Sequence, residues 1–298
     1  MDKTKKHICL VDGSTYIFRA YHALPPLTRK SDGFPVGAIA GFCNMLDKLV
    51  KEEKEKKAIT NLLVVFDASG KTFRNDIYPN YKANRSDAPE DLIPQFPVIR
   101  KATEAFNIPY VELMGYEADD LIASYSRAAQ KENMKVTIVS SDKDLMQLVS
   151  DNVSMLDTMK NKIVQKEEVY EKFGVYPEKV IDVQSLAGDS VDNIPGVPGI
   201  GIKTAALLIN EYGNLDGLFK NSEKIKQKKR RENIIEFEEQ AYLSKKLVTL
   251  RDDVPLPIPI QETTLKDIDA NKLISFLKEM EFRTCLLYTS PSPRDIVG

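Results

Sequence analysis

The chain of 298 residues contains only three cysteines and two histidines. Cys9, Cys43 and Cys285 are scattered along the chain, so they offer neither a disulfide framework nor the closely spaced ligands of a zinc site. No apolar run approaches the roughly 18 residues of a membrane span. The charged N-terminus also lacks the apolar stretch of a signal peptide. We therefore expect a cytoplasmic protein that does not engage a membrane.

A strong charge of one sign is also missing. The 42 basic and 44 acidic residues give a net charge of only −2, which does not by itself indicate binding to nucleic acid. Acids gathered in one crevice would still leave the basic residues free to form a positive surface elsewhere. The hydrophobic fraction of 42% is ordinary for a globular protein, and the length suits one large domain or two smaller ones.

The first part of the chain alternates strand-like and helix-like patterns. Strands are predicted at about 7–12, 61–67, 109–113, 135–142 and 153–157, with helices at about 38–54, 98–106 and from 117 onward. This alternation predicts an α/β fold with a parallel, doubly wound sheet. From about Val175 the strand signal fades, and predicted helices at about 177–186, 203–212, 231–248 and 270–281 indicate a small helical domain.

Acidic residues recur where predicted strands end and in the loops that follow. The set is Asp12, Asp67, Glu117, Asp119, Asp120, Asp142, Asp144, Asp189 and Asp192. The carboxyl ends of parallel strands face a common crevice, so we expect these side chains to converge there. Clustered carboxylates repel unless cations neutralise them, and an all-oxygen ligand set favours Mg²⁺ or Mn²⁺ over zinc. The alternative is that Asp is simply common at strand ends and caps, but the recurring paired spacing favours a metal site.

A glycine-rich segment, Gly196-Val197-Pro198-Gly199-Ile200-Gly201, separates two predicted helices. Glycine lets the backbone approach a ligand closely, and the amides at the start of the next helix suit a phosphate. Lys203 and Thr204 would add to such a site. The alternative is an ordinary turn between packed helices.

Residues 68–97 form a polar stretch with four prolines and no periodicity. A connection of this length is usually functional or disordered, and we expect it to be mobile. Its cations alternate with aromatic residues: Lys71, Arg74, Lys82 and Arg85 with Phe73, Tyr78 and Tyr81. That mixture suits a single-stranded nucleic acid, and the alternative is a solvated loop.

A second basic run is less specific. It comprises Lys224, Lys226, Lys228, Lys229, Arg230 and Arg231. Runs of this kind are usually a solvated face, and a second DNA-contacting patch is the alternative.

These motifs together resemble the 5′→3′ exonuclease domain of bacterial DNA polymerase I. The matching blocks are Ile8-Cys9-Leu10-Val11-Asp12-Gly13-Ser14, Val65-Phe66-Asp67, Tyr81-Lys82-Ala83-Asn84-Arg85, Glu117-Ala118-Asp119-Asp120, Ser141-Asp142-Lys143-Asp144 and the stretch from Gly188 to Gly201. The resemblance covers about residues 7–284. It implies a PIN-like parallel-sheet nuclease domain with helices on both faces over residues 1–186, in which 68–97 is an arch. It also implies a helical helix–three-turn–helix DNA-binding module over 187–284.

The resemblance also assigns roles to residues. It implies that Asp12, Asp67, Glu117, Asp119 and Asp120 hold a first Mg²⁺ or Mn²⁺, and that Asp142, Asp144, Asp189 and Asp192 hold or support a second. Tyr81, Lys82 and Arg85 would act near the scissile phosphate, and Arg74 would contact DNA. Gly196, Gly199, Gly201, Lys203 and Thr204 would hold duplex DNA in a hairpin that can also bind K⁺.

The implied function is a structure-specific 5′→3′ exonuclease and flap endonuclease using a two-metal mechanism. Its partners would be DNA with 5′ flaps, nicks or 5′ ends, including RNA–DNA primers, in Okazaki fragment processing and repair, and it would act as a monomer. The alternatives are a non-catalytic module that binds DNA junctions and a PIN-type ribonuclease. Residues 285–298 no longer follow the family, and we expect a disordered or artefactual tail.

Overall fold

The computed structural model describes residues 6–56 and 59–282. In these ranges the strands are β1 His7–Asp12, β2 Asn61–Val65, β3 Tyr110–Val111, β4 Lys135–Val139, β5 Val153–Asp157 and β6 Lys162–Val164. The α-helices are α1 Gly13–Ala23, α2 Gly37–Lys56, α3 Phe73–Ile77, α4 Gln95–Ala105, α5 Ala118–Lys131, α6 Lys166–Phe173, α7 Val180–Ala187, α8 Ile202–Tyr212, α9 Leu215–Lys220, α10 Lys228–Glu236, α11 Glu238–Val248 and α12 Ala270–Glu279. The expected tail at 285–298 lies outside the described residues.

Two compact units interleave along the chain. The first contains the described parts of residues 1–67, 87–112 and 257–298, and the second contains residues 68–86 and 113–256. The sequence boundary at residue 186 that the resemblance implies remains a prediction.

Parallel strands form the centre of the first unit. β2 pairs with β1, with Ile8 opposite Asn61, and with β3, with Val64 opposite Tyr110. The apolar side chains of β1 and β2 are almost completely buried, as expected for strands that are covered on both faces. Their uninterrupted apolar sequences made these strands predictable, and the predicted α/β fold with parallel pairing is confirmed.

The second unit contains one strand that the sequence did not predict. β4 and β5 pair in parallel, whereas β5 and β6 are antiparallel. The turn between β5 and β6 is closed by the Asp157 carboxylate, which accepts hydrogen bonds from the amides of Met159 and Lys160 at 2.9 and 3.2 Å. β6 has only three residues, too few to produce a recognisable pattern.

The helical part of the second unit also differs in detail from the prediction. The single helix predicted at 231–248 is two helices, α10 and α11, because the backbone of Phe237 (φ −106°, ψ 25°) leaves the helical conformation. Helix α9 was not predicted, and the Asn214 side chain caps it by accepting a hydrogen bond from the Gly217 amide. Among the described residues, no helix combines the length and apolar character needed to cross a membrane.

Part of the segment at 68–97 is regularly folded in the structure. It contains α3, and α4 begins at its end. The first turn of α3 is held by the Asn75 side chain, which accepts a hydrogen bond from the Thr72 amide at 2.9 Å. The mobility expected for this segment remains a prediction.

Candidate functional site

In the first unit, two predicted acids lie at the ends of neighbouring parallel strands. Asp12 ends β1 and caps α1 by accepting hydrogen bonds from the amide and hydroxyl of Thr15. Asp67 follows β2 and accepts a hydrogen bond from the Ser14 hydroxyl. Both carboxylates therefore contact the first turn of the same helix, as their positions after parallel strands predict.

Three acids begin α5 in the second unit. Asp120 is fully buried, Glu117 is almost buried, and Asp119 is partly exposed. The Asp120 carboxylate accepts a hydrogen bond from the Glu117 amide at 3.1 Å, which satisfies a free N–H group at the helix start. The negative charges also suit the positive end of the helix dipole.

Arg74 is buried beside this group of acids. Its guanidinium donates to both carboxylate oxygens of Asp120 at 2.7 and 2.8 Å and to the Leu247 carbonyl at 2.8 Å. Burial lowers the pKa of the Arg74 guanidinium, but the charge and hydrogen bonds of Asp120 outweigh this, so the pKa rises and the group stays charged. In this structure Arg74 is therefore buried, and both Asp120 oxygens accept hydrogen bonds. The DNA contact of Arg74 and the metal-ligand role of Asp120 remain predictions.

Lys82 and Arg85 form ion pairs with Glu117 and Asp192, respectively. Lys82 Nζ is 2.6 Å from Glu117 Oε1 and 3.8 Å from Asp192 Oδ2, and the Arg85 guanidinium donates to Asp192. The Lys82 amide also donates to the Asp192 carbonyl at 2.9 Å. The segment at 68–97 thus places two cations against one acid at the start of α5 and another in the loop between α7 and α8.

Tyr81 is buried beside these acids. Its hydroxyl donates toward Glu117 Oε2 at 3.1 Å and lies 3.4 Å from Asp192 Oδ2. Burial and the charge of Glu117 raise the pKa of the phenol far above its ordinary value, so Tyr81 remains a neutral hydrogen-bond donor. In this structure the Tyr81 hydroxyl faces Glu117, and its role near the scissile phosphate remains a prediction.

A second group of acids follows β4. The Asp142 carboxylate accepts a hydrogen bond from the Asp144 amide at 2.9 Å, and Asp144 Oδ1 accepts one from Gln184 Nε2 at 2.6 Å. Burial and the negative charge of Asp142 raise the pKa of Asp144 to about 7. Uncompensated negative charge of this kind, beside the buried and unpartnered Oε1 of Gln184, fits a hard divalent cation with oxygen ligands.

Asp189 is held next to this group by a cation. Lys143 Nζ is 2.5 Å from Asp189 Oδ2, and Asp189 Oδ1 accepts a hydrogen bond from the Val191 amide at 2.7 Å. Burial raises the pKa of Asp189, but the Lys143 hydrogen bond outweighs it and the net shift is downward. Asp189 is therefore a carboxylate that stays ionised.

In the second unit, several acids are held by cations or by a backbone amide. Within residues 6–56 and 59–282, no three His, Cys, Asp or Glu side chains are grouped closely enough to hold a metal ion as they stand. Lys82, Arg85 and Lys143 take up carboxylate oxygens that a metal would need. The nine-residue metal site remains a prediction.

The glycine-rich segment forms a tight loop between α7 and α8. Gly188 and Gly196 touch backbone to backbone: a Cβ on Gly196 would lie 2.4 Å from the Gly188 nitrogen, and both residues have positive φ. The loop is fastened to α11, because Gly196 N donates to Ser244 Oγ and Gln240 Nε2 donates to Gly196 O. Gly196 is buried and shapes the loop, and its contact with DNA remains a prediction.

The rest of the predicted phosphate site is accessible. Gly199, Gly201 and Lys203 are exposed, Thr204 is partly exposed, and Gly201 immediately precedes α8. This arrangement leaves amides at the helix start and one lysine available to an anion, as the sequence predicts.

Sequence reasoning missed the residues that arrange the acids. Gln184 and Lys143 contact Asp144 and Asp189, respectively, and neither residue was assigned a role from the sequence. Lys143 sits inside the Asp142-Lys143-Asp144 motif, so its position was a usable signal. Gln184 gave none, because it contacts a residue 40 positions away.

Comparison with known proteins identifies two family domains. Residues 7–174 match the family described as 5'-3' exonuclease, N-terminal resolvase-like domain, and residues 175–271 match 5'-3' exonuclease, C-terminal SAM fold. The chain is 42% identical over 281 residues to the 5'-3' exonuclease of Aquifex aeolicus, covering 94% of each protein. It is 57% identical over 285 residues to DNA polymerase I of Rhizobium leguminosarum. This alignment covers 95% of the present chain but only 28% of that relative's length.

Solved structures share the fold. The bacteriophage T5 5'-exonuclease with bound zinc aligns with a TM-score of 0.68 at 24% identity, covering 93% of this chain and 99% of that one. The catalytic core of Rad2 in complex with a DNA substrate aligns with a TM-score of 0.62 at 19% identity, covering 93% and 88%. The predicted fold class is therefore confirmed. On its family domains and on its relatives, the chain belongs to the 5'-3' exonuclease family.

Proposed function

We propose that this chain is a metal-dependent 5′→3′ exonuclease and flap endonuclease that hydrolyses DNA phosphodiesters. The observation that carries the proposal is the position of Lys82, whose ammonium lies between Glu117 and Asp192. A cation between two carboxylates suits a site where divalent ions and a phosphate are bound together. Family membership supports the same reaction.

The acids of the second unit would hold the ions. Asp142 and Asp144 supply oxygens with uncompensated charge, and Glu117, Asp189 and Asp192 supply carboxylates that cations already neutralise. We propose Mg²⁺ or Mn²⁺, two per site. When bound, such ions supply an activated water and stabilise charge on the phosphate and the leaving oxygen. Ligand roles for Asp12, Asp67 and Asp119 rest on the resemblance.

The basic residues would act on the phosphate. If Glu117 and Asp192 held a divalent cation, Lys82 and Arg85 would be free to donate to phosphate oxygens. Cations placed where negative charge develops stabilise the transition state. Tyr81 would keep Glu117 in place through its hydroxyl.

The loop before α8 would hold the duplex. Lys203, Thr204 and the backbone at Gly199 and Gly201 present donors to a phosphate without reading bases, so recognition would depend on DNA shape. K⁺ at this loop is part of the proposal. We further propose that the substrates are 5′ flaps, nicks and 5′ ends, including RNA–DNA primers, processed by a monomer in the cytoplasm during replication and repair.

The test uses 5′-labelled flap DNA and a single-stranded RNA of the same sequence, each with Mg²⁺ or with EDTA. We expect Mg²⁺-dependent cleavage of the flap and none of the RNA. Asp142→Asn should abolish cleavage, whereas Asp151→Asn, which removes an exposed acid of the same unit, should keep it.

Each alternative gives a different result. Binding of flap DNA without cleavage in Mg²⁺ or Mn²⁺ would indicate a junction-binding module. Preferential cleavage of the RNA would indicate a ribonuclease. Normal turnover by Asp142→Asn would contradict the proposed metal site.

A further inference from the structure

Gln184 uses only one half of its amide group within the protein. The residue lies in α7 and is 4% exposed. Its Nε2 donates to Asp144 Oδ1 at 2.6 Å. Its Oε1 is buried, and no donor among the residues that the structure describes reaches it. Because both atoms belong to one amide group, this unpartnered acceptor lies next to the Asp144 carboxylate.

The chemistry of Asp144 fixes which end of the amide is left over. Ligation of a metal ion requires the ionised carboxylate, which only accepts hydrogen bonds. The NH₂ group of Gln184 therefore faces Asp144, and the carbonyl oxygen is left to a different donor. Asp142 lies beside them, because its Oδ1 accepts a hydrogen bond from the Asp144 amide at 2.9 Å. Two carboxylates and one neutral acceptor thus lie close together, all in the second unit.

The other buried polar side chains of α7 are paired inside the protein. Asp182 accepts a hydrogen bond from Lys245 Nζ at 2.8 Å, and Ser185 Oγ donates to the Ile181 carbonyl at 2.6 Å. A buried acceptor without a partner costs free energy, and an apolar side chain of similar size would avoid that cost. Packing therefore does not explain why a glutamine occupies position 184.

The acids beside Gln184 suit a hydrated ion better than a bare one. Within residues 6–56 and 59–282, no three His, Cys, Asp or Glu side chains are close enough together to bind an ion directly. Mg²⁺ needs few direct carboxylates, because it keeps several of its water molecules. Those waters donate hydrogen bonds, so the site also needs acceptors that do not touch the ion. Gln184 Oε1 is a buried acceptor of this kind.

We propose that Gln184 is a positioning residue for the divalent ion at Asp142 and Asp144. Its Nε2 orients the Asp144 carboxylate, and its Oε1 accepts a hydrogen bond from a water molecule on the ion. The inference rests on the proposed function and deepens it, because it says how the ion is held. Loss of such an outer partner typically weakens metal binding by about 10- to 100-fold.

The test measures the affinity of the whole chain for Mn²⁺ without DNA, by electron paramagnetic resonance of the free ion. Gln184→Met removes donor and acceptor and keeps a side chain of similar length. Gln147→Met is the matched control. Gln147 Nε2 donates to the carbonyls of Asp144 and Val248 at 2.9 and 3.0 Å, and its Oε1 accepts from the Leu250 amide at 3.1 Å. The control therefore loses hydrogen bonds at the Asp144 backbone and none at its carboxylate.

We expect Gln184→Met to bind Mn²⁺ about tenfold more weakly. Gln147→Met should melt at a lower temperature but keep the Mn²⁺ affinity of the unchanged protein. In flap cleavage, Gln184→Met should need more Mg²⁺ for half-maximal rate, with little change of rate at saturating Mg²⁺. Unchanged Mn²⁺ affinity in Gln184→Met would overturn the proposal. Equal losses in the two variants would also overturn it, because they would show a general structural effect.

A third variant tests the acceptor alone. Gln184→Glu keeps an oxygen acceptor and replaces the NH₂ group by a second oxygen. Its Mn²⁺ affinity should not fall, although the chain without ions should be less stable because three carboxylates then repel one another. Circular dichroism melting in EDTA measures that stability and shows that each variant is folded. A loss of affinity as large as in Gln184→Met would overturn the role of Oε1.

Failure of the proposed function gives a separate result. If the unchanged protein binds Mn²⁺ but cleaves no flap DNA, the nuclease proposal fails while the comparison of variants still decides the role of Gln184. If the unchanged protein binds no Mn²⁺, both proposals are wrong.

Discussion

Arg74 and Asp120 form a buried ion pair in which Nη1 and Nη2 of the arginine donate to the two carboxylate oxygens at 2.7 and 2.8 Å. Each residue is at most 1% exposed. The same guanidinium donates to the carbonyl of Leu247 at 2.8 Å. One side chain thus joins α3, the start of α5 and the end of α11, and this arrangement keeps Glu117 near Lys82.

Removing one partner of this pair should lower the free energy of unfolding. In Arg74→Met the Asp120 carboxylate stays buried without its counter-charge, and we expect a loss of about 3–5 kcal/mol in the free energy of unfolding. The double variant Arg74→Met/Asp120→Leu should lose less, because no buried charge is left unpaired. Urea denaturation monitored by circular dichroism measures both.

An exposed pair in the same unit is the control. Arg127 and Asp252 are 2.6 Å apart but each is about half exposed, so Arg127→Met should change the free energy of unfolding by no more than about 1 kcal/mol. A loss in Arg74→Met no larger than in Arg127→Met would show that the buried pair does not stabilise the fold.

The burial of Arg74 could not be predicted from the sequence. The pattern of cations and aromatics around it is equally suited to binding nucleic acid and to burial. In the structure the Arg74 guanidinium lies 4.6 Å from the centre of the Phe73 ring and inside the protein. Its partner Asp120 is 46 positions away, so its burial is a tertiary property that local spacing does not reveal.

The parts of the fold that were predictable are those with a local cause. β1 and β2 are uninterrupted apolar runs, and the loop before α8 follows from its glycines. β6 and α9 are too short to show a period, and the break between α10 and α11 falls at Phe237, a residue that gives no breaking signal. Asp12 was correctly placed at the end of a strand, whereas the pairing of Lys82, Arg85 and Lys143 with particular acids came only from the structure.

Lys82 should matter for turnover more than for binding. If its ammonium moves from Glu117 to a phosphate, Lys82→Ala removes a charge that acts mainly in the transition state, and we expect a decrease in single-turnover rate of about 100-fold or more. Affinity for flap DNA should change much less. Lys172→Ala, which removes an exposed lysine of the same unit that has no proposed role in DNA binding, is the control and should cleave normally. Equal rates for the two variants would remove Lys82 from the reaction.

Tyr242 should make stability depend on pH at the alkaline end. Burial and its hydrogen bond to Asp216 at 2.6 Å raise the pKa of Tyr242 to about 12. The group binds its proton more tightly in the folded than in the unfolded chain, where the pKa is about 10. Its contribution is therefore complete below about pH 10 and is lost as the pH rises toward 12.

The measurement is the urea midpoint of the unchanged protein and of Tyr242→Phe at about pH 9 and about pH 11. The unchanged protein should be the more stable at the lower pH, and the difference between the two proteins should shrink at the higher pH. A difference that does not depend on pH would contradict the raised pKa. Asp216→Asn should lower the pKa of Tyr242, which ultraviolet absorbance of the phenolate reports.

Two glycines of the loop before α8 should differ in how strongly alanine destabilises the protein. At Gly196 a Cβ would lie 2.4 Å from the Gly188 nitrogen, and φ is +60°, so Gly196→Ala should destabilise the protein by more than about 1 kcal/mol. At Gly201 no atom lies within 4 Å of the added Cβ, and φ is −93°. Because only the residue that caps α8 changes, Gly201→Ala should lower the free energy of unfolding by at most about 1 kcal/mol. If Gly201 lies against a DNA phosphate, however, its Cβ would keep the backbone away, and duplex affinity should fall although the fold is intact. Thermal melting and duplex binding of the two variants separate these effects, and unchanged duplex affinity in Gly201→Ala would show that the DNA backbone does not approach this residue.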